Sequence, residues 1–306
     1  MRLNKTLSLL VTLASALLPL ILPARSFDRS LERHFARKPK TRIISYNVYT
    51  GFSGKSETNR MERFAAWVRG KDPDILGLQE LNTFTTRDLK EFAAKWGHPH
   101  VAILREGKGS PVGITSRYPI TVVNRLEKGF CHGLLHATTR GLDILVTHLN
   151  PDDCAARQKE ADQIVEYIKG IKNPKVILMG TFIAYSPIDA DYMERYATDL
   201  RISLYKSPNL AFGEVFDYSA ISKFFAVSLY DLCYSAVPRE DRITFPAKLT
   251  PNYPKSERAR KRLGSRIDHI FGTFPVKKVT SEGFIINGAD EDFLSDHYPV
   301  GIDLVF

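Results

Sequence analysis

The chain has 306 residues, 43% of them hydrophobic and 25% charged. This ordinary globular balance excludes a low-complexity chain and allows a large buried core, as one big domain or two small ones. A net charge of +9 fits phosphate-bearing or anionic partners, and three cysteines (Cys131, Cys154, Cys233) exclude more than one intramolecular disulfide and have no metal-site spacing.

Arg2 and Lys5 precede TLSLLVTLASALLPLILPARS, an apolar run interrupted by Pro19 and Pro23 and closed by the small residues Ala24 and Ser26. The pattern predicts a signal peptide over 1–26 and export to the periplasm or the exterior, with an uncleaved membrane anchor as the alternative. No cysteine lies near the run, which excludes the usual lipoprotein anchor. Cleavage would remove Arg2, Lys5 and Arg25 and no acid, taking the net charge from +9 to +6. Residues 27–40, FDRSLERHFARKPK, read as a basic linker, and 41–306 as the folded domain.

Regular structure is predicted from TRIISYNV onward. A helix follows in NRMERFAAWVRG, where Met61, Phe64, Ala65 and Val68 recur at helical spacing, and another in TRDLKEFAAKW. DILGLQE between them reads as a buried strand. Strand-like runs continue through HVAIL, PVGITS, LLHATT and LDILVTHL, then a helix at about 154–170 leads into KVILMG. The last third adds RITFPA, a basic loop in YPKSERARKRLG, and strands in SRIDHIFGT, KVTSEGFII and YPVGIDLVF. Strands alternate with helices early and dominate later, which suggests two packed sheets flanked by helices rather than one doubly wound sheet.

Polar residues recur where these strands end: Asn47, Glu80, His148, Asp268 with His269, Asp296 and His297. Strand ends gather in one crevice, so the set reads as a site. Glu80, Asp296 and the amide oxygen of Asn47 are hard ligands suited to Mg²⁺ or Mn²⁺. His148 and His297 could donate protons to phosphoryl oxygens, and Asp268 could orient His297 and raise its basicity. Arg262 and Arg266, with Lys255, Arg258, Arg260 and Lys261 before the Asp268 strand, could grip phosphates without reading bases.

SYN, LQE, THL, RIDHIF and SDHYPV, in this order and at these distances, resemble the endonuclease/exonuclease/phosphatase (DNase I-like) superfamily over about residues 41–306. The resemblance implies a four-layer α/β sandwich of two mixed sheets flanked by helices, with a Mg²⁺-dependent phosphoesterase site at one end. It implies metal-side roles for Asn47, Glu80 and Asp296, phosphate contact for His148, and an Asp268–His297 catalytic pair. It implies a phosphate-containing substrate (nucleic acid, phospholipid headgroup or small phosphoester), with no obligate protein partner and a monomeric chain.

In that family the strand after the THL helix ends in Gly-Asp-Phe/Leu-Asn, whose Asp orients or deprotonates water and whose Asn contacts phosphate. Here the positions read Gly180-Thr181-Phe182-Ile183. A threonine hydroxyl takes no proton near pH 7, and Ile183 offers no polar contact. Three readings follow. The chain is a hydrolase with impaired or relocated base chemistry, Asp152 and Asp153 being the nearest acids; or a pseudoenzyme binding a phosphorylated ligand, nucleic acid or partner; or an exported domain keeping only the fold.

Overall fold

The apolar runs of TRIISYN and ILGLQ form β1 (Lys40–Asn47) and β2 (Ile75–Gln79), paired in parallel from Ile43↔Ile75 to Asn47↔Gln79. Both are buried along almost their whole length, as parallel strands covered on two faces must be. The computed structural model describes residues 40–52, 59–198, 210–211, 215–234, 237–274, 280–286, 288 and 290–305. The expected leader 1–26 and all of the linker except Lys40, which opens β1, lie outside those residues.

Two six-stranded mixed sheets form the centre. The first has the order β13 (Thr280–Ile285), β14 (Val300–Val305), β1, β2, β4 (Gly113–Ser116), β3 (His100–Ile103). The second runs β11 (Tyr230–Asp231), β12 (Asp268–Gly272), β8 (Val176–Thr181), β7 (Leu142–His148), β6 (Leu134–Thr139), β5 (Thr121–Leu126). One apolar cluster, including Ile43, Ile75, Ile114, Ile144, Met179 and Ile302, joins residues of both sheets. A second packs Tyr46, Leu76 and Leu78 against α1 (Arg60–Lys71) and α2 (Thr86–Ala94) through Phe64, Val68, Leu89 and Phe92. A third packs Leu145 and Leu178 against α3 (Cys154–Lys169) and α5 (Ser219–Ala226), with α4 (Ala190–Arg195) on a smaller aromatic cluster. The four-layer sandwich expected from the sequence is the fold observed.

Local chemistry explains the helix starts. Thr85 and Asp88 form a reciprocal capping box on α2, and Asp153 accepts from Ala155 N and Ala156 N at the start of α3. Two expectations change. KSERARKR is not a loop: Ser256 accepts from Ala259 N and caps α6 (Glu257–Leu263), where Glu257 pairs with Arg260. RITFPA is not a regular strand and contributes one isolated bridge, Phe245↔Ser265.

Register brings the polar ends together. β7 and β8 are parallel and end at His148 and Thr181, which are paired. β12 is antiparallel to β8 and begins at Asp268, opposite Thr181. β14 is antiparallel to β1, so residues 295–299 before it lie at the Asn47 end. Gly180 is required for this closure. Its φ is +148°, and a Cβ there would lie 1.9 Å from Thr147 O on the neighbouring strand. Gly180→Ala is therefore expected to cost about 3 kcal/mol or more in chemical denaturation. Gly170→Ala, at the end of α3 where a Cβ meets only Tyr167 O at 3.4 Å, should stay within about 0.5 kcal/mol.

Candidate active site

Asp268 is the buried centre of the site. Its backbone N–H and that of Ile267 donate to Thr244 Oγ1 at 3.2 and 3.0 Å, fixing the start of β12. One carboxylate oxygen, Oδ2, lies 2.8 Å from His297 Nδ1, and the other accepts the Thr181 hydroxyl at 2.7 Å. Burial opposes charge on His297, but Asp268 and Asp296 outweigh it and push the imidazole up to about 9. His297 is thus an imidazolium at neutral pH. The Phe245 ring lies 5.1 Å from it, and Ser295 Oγ accepts its backbone N–H while donating to Asn47 O. Ala247 N and Thr250 Oγ1 donate to Asp296 O, so the segment that follows Thr244 borders the same rim.

Glu80 follows β2 with φ +61°, a left-handed conformation that is uncommon for a side-chain-bearing residue. Its carboxylate accepts from Asn47 Nδ2 at 3.0 Å and Thr50 N at 2.8 Å. Arg60, fully buried, donates to the carbonyls of Val48, Tyr49 and Leu294, bracing the loop that supplies Thr50. The carboxyl of Asp296 is pushed up, first by burial and further by Glu80, with His297 opposing.

Asn47 differs from the expected oxygen ligand. Its Oδ1 accepts Tyr49 N–H at 3.0 Å, which turns Nδ2 toward Glu80 and Thr181 (3.0 and 3.3 Å). It orients the acid instead of presenting an oxygen beside it. Among the described residues no three His, Cys, Asp or Glu side chains are grouped to hold a metal. Two facing carboxylates, Glu80 and Asp296, remain as the hard-oxygen donors.

Arg266 is also corrected. It is buried between Asp189 and Asp231, at 2.6 Å from each carboxylate, and both raise its pKa against the pull of burial. A guanidinium so committed braces the fold and cannot reach a ligand. Arg262, half-buried on α6, lines a cleft of about 610 Å³ with Arg195, Tyr196, Glu257, Arg258 and Lys261. His269 faces away from the crevice: its ring is wholly buried, stacked at 5.3 Å on Phe271, with Nδ1 3.6 Å from Asp231. Asp153 is spent as the α3 cap, while Asp152 is exposed.

His148 is buried at the end of β7, and burial and the neighbouring His132 and His297 push its pKa well down. The ring of His132 stacks on it, with centroids 4.4 Å apart and planes 25° apart. The motif reading missed His132. Its signal was positional: Leu134 pairs with Thr147, so the residues before β6 lie beside the end of β7.

Residues 44–180 match the Endonuclease/Exonuclease/phosphatase family. The fold of the chain is also similar to an AP endonuclease from Archaeoglobus fulgidus (18% identity, 86% of this chain and 98% of that chain, TM-score 0.61). It is similar to the 3' phosphatase NExo from Neisseria bound to product DNA hairpin (18%, 87% and 100%, TM-score 0.63) and to TDP2 from D. rerio complexed with single strand DNA product (18%, 87% and 98%, TM-score 0.60). No curated protein matches the sequence significantly.

The stretch Gly180–Ile183 has an unusual backbone. Ile183 has φ +48°, a left-handed conformation that suits Asn and strains a β-branched side chain by roughly 1–2 kcal/mol. Ile183 also packs, half-buried, on the cluster containing Tyr185 and Ile267. Ile183→Asn is expected to hold or raise the melting temperature despite losing apolar contact; a loss above about 2 kcal/mol would mean that packing outweighs strain. A second outcome concerns pH. A raised folded-state histidine pKa contributes stability that is complete below the unfolded value near 6.5 and is lost as pH rises through about 9. In chelator, unfolding free energy should fall over that window in the wild type, and the fall should be smaller in His297→Gln.

Proposed function

We propose that the crevice binds a divalent cation and a phosphoryl group and hydrolyses phosphodiesters or phosphomonoesters slowly. The observation that carries this reading is the neutral Thr181 hydroxyl, 2.7 Å from Asp268 within an otherwise assembled site. A positioned general base contributes roughly 10²–10⁴ in rate, and the Thr181 hydroxyl cannot act as one. His297, kept as an imidazolium by Asp268, serves as a proton donor and positive charge for a phosphoryl oxygen, not as a base. The neutral ring of His148 offers a second contact. Asp153 is withdrawn as a relocated base because its carboxylate caps α3.

Glu80 and Asp296 fit Mg²⁺ or Mn²⁺, which commonly take one or two protein carboxylates and keep water in the remaining positions. Asp296 is raised partly by Glu80, a repulsion that a cation would relieve. When bound, such an ion supplies charge neutralisation and Lewis acidity at the phosphoryl group. Asn47 and Thr50 hold Glu80 in place for it. The DNA named with two structural neighbours favours a nucleic-acid ligand over a phospholipid headgroup or small phosphoester. Export rests on residues 1–26 alone and belongs to the same proposal.

Ile183 favours a second reading, a pseudoenzyme that binds its phosphorylated ligand without turnover, since it places an apolar branch where a polar contact is expected. Hydrolysis of a chromogenic phosphodiester with Mg²⁺, Mn²⁺ or chelator separates the two. Wild type should show weak, metal-dependent turnover, lost in Glu80→Gln, and Thr181→Asp/Ile183→Asn should raise it by about 10²-fold or more. A silent wild type beside an active double variant would establish the binding reading. Silence of both, with no metal binding, would remove the site altogether.

A further inference from the structure

We propose that His132 is a ligand-contacting residue of this site, and that the stacked His132–His148 pair presents two imidazole nitrogens to one phosphoryl group. The inference rests on the phosphoryl-binding reading above. It adds a residue outside SYN, LQE, THL, RIDHIF and SDHYPV.

The geometry is that of a built site. The rings lie 4.4 Å apart at 25°, and the Nδ1 atom of each is buried without a hydrogen-bond partner. A buried polar nitrogen left unpaired costs about 1–3 kcal/mol, so two on adjacent rings call for a ligand or water that pairs them. The pair borders the crevice: His148 ends β7 opposite Thr181, and the pairing of Leu134 with Thr147 sets the residues before β6 beside it.

Its position is also enforced. Gly133, with φ +92°, allows no Cβ, which would lie 2.1 Å from Leu104 Cδ2. Glu160, a buried acid on α3, accepts Cys131 N–H at 2.6 Å through one oxygen and Asn150 N–H at 2.7 Å through the other. One carboxylate therefore clips together the backbone just before His132 and just after His148. Arg105 Nη2 donates to Cys131 O at 3.3 Å and fixes the same turn from outside. A surface histidine that merely covers its neighbour has no need of a buried glutamate holding its loop.

The chemistry complements the lost motif. Ile183 removes a donor from the phosphate side, and Thr181 spends its hydroxyl proton on Asp268. A neutral imidazole carries one N–H and one acceptor nitrogen, so two stacked rings restore directional donors without adding a fixed charge. The ligand class is a phosphoryl group, whether a terminal phosphate or an internal diester.

The test is calorimetric titration of inorganic phosphate, with Mg²⁺ present, into wild type, His132→Phe, His132→Asn and His148→Phe, with thermal unfolding of each. Phenylalanine keeps the stack and removes both nitrogens; asparagine restores an N–H. His132→Phe should bind phosphate about tenfold more weakly at a melting temperature no lower than that of wild type, His132→Asn should recover part of the loss, and the imidazole ¹⁵N signals of wild-type His132 should move on addition of phosphate. A dinucleotide titrated in parallel separates the sources: weakening with both ligands places His132 on oxygens they share, and weakening with phosphate alone places it on an oxygen only a terminal phosphate carries. If His132→Phe binds like wild type while His148→Phe does not, the contact falls and the proposed function stands. If wild type takes up no phosphate, both fall.

Discussion

One buried carboxylate organises the functional end of this molecule. Asp268 is nearly inaccessible, and a charge in that position is tolerable only if its neighbours satisfy it. Two neighbours do so, the Thr181 hydroxyl from β8 and the His297 ring from the segment before β14, while Thr244 Oγ1 accepts the Asp268 backbone N–H. β8 and β12 lie in one sheet and β14 in the other. The Asp268–His297 contact therefore ties the two sheets at the mouth of the crevice, and it places an imidazolium there. Asn47 extends the chain of contacts through Thr181 to Glu80, so acid, hydroxyl, amide and second acid are one connected unit. Such networks respond as a whole, and a change at Thr181 reaches Asp268, Asn47 and Glu80 together.

Much of the fold was legible because its signals are local and redundant. The apolar runs of β1, β2, β7 and β8 exceed any competing pattern, and the helical stripe of Phe64, Ala65 and Val68 matches the buried face of α1. Short elements were not legible. β9 (Leu210–Ala211), β10 (Val215–Phe216) and β11 are two residues each, below the length at which periodicity carries information. The basic run before β12 concealed a helix because its stabilisation comes from a serine cap and an i,i+3 ion pair, neither of which stands out among so many cations.

The candidate site was legible in composition and less so in direction. Sequence order identified Glu80, His148, Asp268, Asp296 and His297 because each lies at a strand end, and register then gathers strand ends. It could not tell which way a side chain turns there. Asn47 points its oxygen at Tyr49, Arg266 turns inward to two aspartates, and His269 follows strand alternation into the core beside Phe271. The last of these was derivable, since adjacent residues of a strand face opposite sides and Asp268 already faces the crevice. His132 was missed for the converse reason. It lies in a turn, and only the pairing of β6 with β7 shows that the turn borders the site.

The backbone of Gly180–Ile183 is set by more than its own side chains. The backbone at 183 is left-handed, as an asparagine there would readily accept, although isoleucine is among the residues least suited to it. Gly180 likewise retains a conformation and a clearance that only glycine satisfies. That conformation is specified from outside the stretch: by Thr147 O against Gly180, by Phe182 N–H on Ile267 O, and by Leu149 N–H on Thr181 O. Thr181 fits this frame without strain because its hydroxyl satisfies both Asn47 and Asp268. A carboxylate there would face Asp268 across a short contact, and would need the His297 imidazolium or a bound cation to offset the repulsion. A threonine there avoids that charge conflict and leaves position 181 without a group able to accept a proton. Threonine at 181 thus makes the unliganded crevice easier to hold together.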